Sequence, residues 1–171
     1  IDLARDPRWG RVEEMFGEDA HLVARMGVAA VRGLQGRARP LGPDRVFATL
    51  KHFLHAVPQG GLNTAPVELS ERTLRSTYLT PFQAVIDEAE PAFLMPSYNA
   101  INGVPTHANR ELLVDTGREL LGFSGAYASD YEAISLLCER ERVVPTVEDA
   151  VAIALELGVI VDLPEGNAYG L

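Results

Sequence analysis

The 171-residue chain contains a single cysteine, Cys138, which excludes an internal disulfide framework and a thiolate metal site. Cys138 reads as a buried, unreactive thiol, because free cysteine packs as a small hydrophobe. Positive charge is scarce: 15 Lys and Arg stand against 24 Asp and Glu, for a formal net charge of −9 and a pI near 4.9. With no basic excess to build a patch, no nucleic acid and no membrane surface is expected as partner. No run reaches the ~18 consecutive apolar residues of a membrane span. The four histidines, His21, His52, His55 and His107, lack paired ligand spacing such as His-Glu-x-x-His, so no metal is expected. Nor does any loop carry a Gly-rich phosphate fingerprint, and no cofactor is expected.

What is present is enough apolar material, 47% of residues, for one globular core. Several short apolar runs end in polar residues suited to chemistry. Val46 to Leu50 leads into Lys51-His52-Phe53, Ala92 to Met95 into Ser97-Tyr98-Asn99, and Ala126 to Ala128 into Ser129-Asp130-Tyr131. Ile1 to Ala4 and Val159 to Leu163 read as further strands. Between them lie helices. One covers about Asp19 to Leu34, with Leu22, Val23, Met26, Ala30 and Leu34 as its apolar stripe and Gly36 as C-terminal cap. Another follows Ser70 through Leu74, Tyr78, Phe82, Val85 and Ile86, with a kink expected at Pro81. Asn109 caps a third, through Leu112, Leu113, Leu120 and Leu121 to Gly122, and Ala133 to Arg140 forms a short fourth. Thr146 with Asp149 is a capping-box pattern for the last, which ends at Gly158. A long Pro- and Gly-rich loop spans Ala56 to Leu69, and Asn102-Gly103 marks a turn.

Continuous apolar strands alternating with helices predict a parallel sheet. Two architectures fit, an open doubly wound sheet or part of an eight-stranded barrel, whose full length is roughly 250 residues. In either, the C-terminal strand ends gather at one face, where such folds build their sites.

Taken singly, the polar residues stay ambiguous. Asp130 at a strand end suits a nucleophile, a metal ligand or a helix cap. Lys51 and His52 suit a binding pair or a solvated one, and Arg11 suits a ligand contact or a surface stack on Trp9. Glu13, Glu14, Glu18 and Asp19 read as ordinary charge near a helix start, and His21 as a partly exposed helix residue.

Taken together, the strings RDPRWGR-x-x-E-x-F-G-E-D, ATLKHF, GGLNTAPVELSERTLRSTYLTPFQAVI, MPSYNAINGVP and LLGFSGAYASDYEAI, from Asp2 to about Leu163, resemble the catalytic barrel of glycoside hydrolase family 3. The resemblance implies an α/β fold, a (β/α)8 TIM-type barrel truncated here to about five strands. It implies a retaining exo-acting β-glycosidase acting on a β-linked oligosaccharide or glycoside with a terminal glucosyl or xylosyl residue, through a covalent glycosyl-Asp intermediate. Asp130 matches the family nucleophile. Arg11, Lys51 and His52 match its sugar-binding cations, Tyr98 and Met95 its pocket wall, and Tyr131 stands where the family often has a Trp platform. The loop after Lys51-His52 is similar to that of the β-glucosidase and β-xylosidase branch, since Ala56 to Leu69 lacks the histidine of the N-acetylglucosaminidases.

Retention requires a second carboxyl group roughly 5 to 5.5 Å from the first, and the residues here supply no convincing one. In the family the general acid comes from a downstream domain. The chain is therefore expected to be a single partial barrel domain, with upstream barrel strands and a downstream α/β sandwich domain missing, and to hydrolyse little in isolation. Three residues depart from the family pattern: Leu62 where relatives often have Arg, Glu132 for a common Gly, and Ile160 for a usual Asp, for which Asp162 is a candidate substitute. Two other readings of the same residues are a non-catalytic carbohydrate-binding module and a Schiff-base lyase using Lys51.

Overall fold

The computed structural model describes residues 1–56 and 61–170; part of the expected loop Ala56 to Leu69 therefore lies outside the described residues. Four parallel strands form the sheet: β1 (Thr49–Phe53), β2 (Phe93–Pro96), β5 (Ala126–Ala128) and β6 (Val159–Val161). A two-stranded antiparallel hairpin, β3 (Ala100–Ile101) and β4 (Val104–Pro105), turns at Asn102-Gly103, both with positive φ, as a two-residue hairpin turn requires. The main sheet is ordered β1-β2-β5-β6, in chain order and parallel throughout. A doubly wound sheet reverses its order at a switch point. This one winds in a single direction, as a barrel does.

The helices are α1 (Ala20–Gln35), a composite α2 (Glu71–Thr73, Leu74–Tyr78 and Leu79–Ala89), α3 (Glu111–Leu120), α4 (Ala133–Glu139) and α5 (Val147–Glu156). Their starts were written in the sequence. Asp19, Ser70, Asn109 and Thr146 each accept a hydrogen bond from a backbone N–H of the first turn. The middle of α2 is a wider π-type turn just before Pro81, whose missing N–H leaves the preceding turn without one α-helical partner. The whole of α3 is similarly wide, and Gly117 within it lies against the Tyr127 hydroxyl, where any Cβ would collide.

One cross-strand row, Leu50, Leu94, Tyr127 and Val159, is in register and at most 3% exposed. These four join Val28, Val31, Phe82, Val85, Leu113, Ile134, Ala150 and Ala154 in one hydrophobic cluster. Burying such a side chain contributes ~1.5–3 kcal/mol, so this row fixes the register of the sheet against its helices. Phe53 packs edge-on against Phe82 at 5.1 Å, and the Arg118 guanidinium lies 4.5 Å over the Tyr127 ring. The adjacent row, Thr49, Phe93 and Ala126, is only partly covered, and Phe47, 65% exposed, packs edge-on against Phe93.

Several expectations are corrected. Ile1 to Ala4 is not a strand, so the sheet has four strands among the described residues, not five. β1 starts three residues later than Val46, which is exposed, and the strand takes in Lys51 and His52. β6 ends at Val161. In α1 the buried side is Val23, Ala24, Val28 and Val31, facing α2 and the sheet, while Leu22, Met26, Ala30 and Leu34 are exposed. Periodicity locates such a stripe, but two apolar stripes one residue apart cannot be ranked without the neighbouring elements. Leu120 is exposed too. Cys138 is only half-buried, with its thiol against the Pro145 carbonyl.

Candidate active site

Because β1, β2 and β5 are parallel neighbours, their C-terminal ends bring Lys51 and His52, then Ser97 and Tyr98, then Ser129 and Asp130 to one rim. Met95 lies beside Lys51 in the strand register. The side chains around this rim fall into a buried set and a half-exposed one.

The buried set is a string of carboxylate and imidazole groups. Asp2, fully enclosed, accepts from the His52 backbone N–H at 2.8 Å and contacts Nδ1 of the His52 ring at 2.7 Å. On the other side of the ring, Nε2 lies 3.6 Å from Oδ2 of Asp130. Burial pushes the Asp2 carboxyl up, but the His52 hydrogen bond and nearby positive charge outweigh it, and the net direction is down. Oδ1 of Asp130 accepts from the Tyr131 backbone N–H at 2.8 Å, while Oδ2 is buried with no hydrogen-bond partner among the described residues. A buried carboxylate oxygen left free in this way is poised for a ligand or for chemistry. Tyr98 donates its hydroxyl to the Tyr131 carbonyl, and burial together with the Asp130 charge pushes its phenol up. His107, from the short helical turn Thr106–Ala108, accepts at Nε2 from the Asp130 backbone N–H.

The half-exposed set is built on Glu14. Its carboxylate accepts from Arg11 Nε at 2.6 Å and Nη2 at 2.8 Å, and from Lys51 Nζ at 2.8 Å. These bonds, from Arg11 first and then Lys51, hold Glu14 down to about 2. Arg11 is raised in turn, chiefly by Glu14 and further by the charges of Asp130 and Asp2. Asn63 Oδ1 accepts from Trp9 Nε1 at 3.2 Å and from Arg11 at 3.5 Å. The loop reaches this far because Gly61, at φ +75°, lies where a Cβ would come within 2.7 Å of the Arg8 backbone. Trp9 is buried and stacks on the His55 ring at 4.2 Å, leaving Arg11 free for Glu14. Burial lowers His55 to about 4.

All seven expected residues therefore border one rim: Asp130 and His52 through direct contact, Arg11 and Lys51 through Glu14, Tyr98 and Tyr131 through their shared hydrogen bond, and Met95 by register. The ring of Tyr131 stands outward, 59% exposed. Asp130 is not a helix cap, since α4 starts after Glu132. Glu132 itself has φ +58°, a left-handed conformation that glycine adopts freely and other residues adopt at a cost of ~1–2 kcal/mol, which gives the common Gly there its reason. Ile160 is exposed, while Asp162 is buried and accepts from the Ala168 N–H. Lys51 is ion-paired and solvent-accessible, the opposite of the desolvated amine a Schiff base needs.

Three participants were not legible beforehand. Glu14 read as helix-start charge, Asp2 as strand, and His107 as an isolated histidine; nothing in their local spacing points to partners 37, 50 and 23 residues away. Chemically, the site offers one carboxylate with a free oxygen, surrounded by fixed cations and donors. Its other carboxylates, Asp2 and Glu14, are both stabilised in the ionised form and cannot serve as a proton-donating acid.

Residues 1–170 match the family described as Glycosyl hydrolase family 3 N terminal domain. The chain is 41% identical to a β-xylosidase of Formosa agariphila, over 96% of this chain and 23% of that protein. It is 36% identical to a periplasmic β-glucosidase of Salmonella typhimurium, over 99% and 22%. A β-glucosidase structure from Erythrobacter marinus superposes with a TM-score of 0.94 at 37% identity, covering 98% of this chain and 22% of that one. A Listeria innocua β-glucosidase solved with isofagomine gives a TM-score of 0.91 at 32% identity, over 98% and 24%. The chain thus spans less than a quarter of the length of the relatives it matches, and its fold is TIM-barrel-like.

Proposed function

The chain belongs to the glycosyl hydrolase family 3 N-terminal domains, and from that premise we propose that the protein carrying it is a retaining, exo-acting β-glycosidase for terminal glucosyl or xylosyl residues. The observation that carries this reading is the free, buried Oδ2 of Asp130 next to His52 Nε2, with Arg11 in the field of the same carboxylate. Asp130 attacks the anomeric carbon as the aglycone leaves, forming a glycosyl ester that water then hydrolyses with retention. The cations favour the ionised nucleophile. Lys51, Arg11 and His52 present fixed donors to sugar hydroxyls, and donors that tighten as oxocarbenium charge develops lower the barrier. Tyr98 and Met95 wall the pocket, and the exposed Tyr131 ring offers the sugar an apolar face.

With Asp2 and Glu14 held ionised, the acid that protonates the leaving group comes from a downstream domain of the same protein. The partly covered strand row from Thr49 to Ala126, flanked by exposed Phe47 and Ile160, is the inner wall of a barrel that further strands of the protein complete. The test is a 2-fluoro-glycoside incubated with the intact protein and mapped by peptide mass: a label on Asp130 is expected. Asp130→Ala should lose at least about 10³-fold in kcat and regain part of it with azide, yielding the inverted glycosyl azide. A label on another carboxylate, or unchanged turnover in Asp130→Ala, overturns the reading.

A further inference from the structure

We propose that His107 is a positioning residue for Asp130, an imidazole strut that ties the strand ends carrying the reaction's groups into one rigid rim. The inference rests on the glycosidase reading for its kinetic consequence and on geometry alone for the strut. His107 is 3% exposed and lies in the short turn Thr106–Ala108, which belongs to neither β2 nor β5 yet bonds beyond the ends of both. Its Nε2 accepts from the Asp130 backbone N–H at 3.2 Å. An amide can only donate, so Nε2 carries the lone pair and the ring proton is on Nδ1. The residue before it, Thr106, donates its hydroxyl to the Ser97 carbonyl. Ser97 is itself anchored to β1, its N–H donating to the Phe53 carbonyl at 2.9 Å and its hydroxyl to the Leu54 carbonyl at 3.0 Å. A chain of hydrogen bonds, with the Thr106–His107 backbone as one link, therefore runs from the end of β1 through Ser97 to the backbone of Asp130.

The strut fixes what the Asp130 side chain cannot fix for itself. Among the described residues Oδ1 accepts only from the next residue's N–H, and Oδ2, 3.6 Å from His52 Nε2, has no hydrogen bond, so the carboxylate's aim leans on its backbone. Ser97 also precedes Tyr98, whose hydroxyl reaches the Tyr131 carbonyl on the far side of Asp130, and one displacement of His107 would move both. Burial holds the ring neutral, down to about 3, so the acceptor persists at any ordinary working pH. A misplacement near 1 Å in a reacting group costs on the order of 10²-fold in rate, the scale expected for losing the strut.

The experiment compares His107→Phe, which keeps the ring volume without an acceptor, with His107→Gln, whose side-chain oxygen can accept in place of Nε2, both in the intact protein. The rate of 2-fluoro-glycoside labelling reports attack by Asp130 alone. Expected are labelling and kcat slowed by roughly 10- to 100-fold in His107→Phe with KM within about twofold, and recovery to within about threefold in His107→Gln. Labelling within twofold of the parent in His107→Phe, or equal losses in both variants, overturns the strut. Should the parent protein take no label at Asp130, the glycosidase reading fails, and hydrogen exchange decides the strut: the Asp130 amide must exchange at least tenfold faster in His107→Phe and not in His107→Gln. If His107→Phe does not fold, the ¹⁵N shifts of His107 in the parent decide it. An unprotonated, hydrogen-bonded Nε2 supports the strut, and a protonated Nε2 overturns it.

Discussion

The two halves of the rim hold charge by different physics. The Asp2–His52–Asp130 string is buried, its contacts join parts of the chain 50 and more residues apart, and only Oδ2 of Asp130 lacks a hydrogen-bond partner within it. The Arg11–Glu14–Lys51 cluster is half-exposed and is held by a shared counter-ion, which keeps two cations side by side that would otherwise repel. Burial makes geometry rigid and costly to disturb, whereas a solvated ion cluster adapts and costs little to rearrange. The proposed glycosidase reaction, with a fixed nucleophile and charged groups that meet sugar hydroxyls, would be served by this division.

The contrast is sharpest at Asp2. In the intact protein Asp2→Ala should destabilise by about 3–5 kcal/mol, because it leaves the His52 ring and backbone N–H buried without an acceptor; urea unfolding measures this. Activity should fall by roughly 10²-fold as His52 loses its orientation, and Asp2→Asn, which retains the acceptor oxygen, should recover much of the stability. A loss below about 1 kcal/mol would show that burial is not what holds the string.

Acid sensitivity tests the buried half in a second way. His55 and His107 fold with values near 4 and near 3, below the ~6.5 of an unfolded histidine. Below that value the unfolded chain binds protons that the folded one refuses, so stability falls as pH drops from about 6.5 toward 4, by up to ~1.4 kcal/mol per pH unit for each ring. Urea midpoints across that range should show the slope, and His55→Phe should reduce it by about one proton. Glu14 titrates lower, its ion pairs being lost only as pH falls from about 4.5 through about 2.

The smallest effect is expected at Glu14. Glu14→Gln should raise KM by roughly fivefold, with kcat and folding little changed, the scale of a surface ion pair worth up to ~1 kcal/mol. The change should shrink at high salt, because the cluster is open to solvent. A salt-independent loss of kcat would place Glu14 with the buried set.

Much of this was legible from the chain. Helix starts at Asp19, Ser70, Asn109 and Thr146 follow from local hydrogen bonding, which spacing of a few residues fully specifies. The turn at Asn102-Gly103 follows from the same short-range chemistry, though not the two short strands that pair across it. Three strands were found in place or nearly so, and the Lys51, His52 and Asp130 rim followed from strand ends and a family resemblance. The burial of Val28 and Val31 rather than Met26 and Leu34 did not follow, since both stripes are apolar and only the packing partner chooses between them. The parts played by Asp2, Glu14 and His107 did not follow either, as each depends on a partner brought near by winding the sheet.

By itself, then, the sequence determined the alternation of strand and helix, the caps that bound each helix, and the residue types that meet at the C-terminal strand ends, because these depend on periodicity and nearest-neighbour hydrogen bonding. Only the tertiary structure decided which carboxylate keeps a free oxygen, which ones are held ionised by their neighbours, and which histidine accepts from the Asp130 backbone. Those outcomes depend on desolvation and on distances of a few ångströms between residues remote in the chain, and no local pattern encodes either.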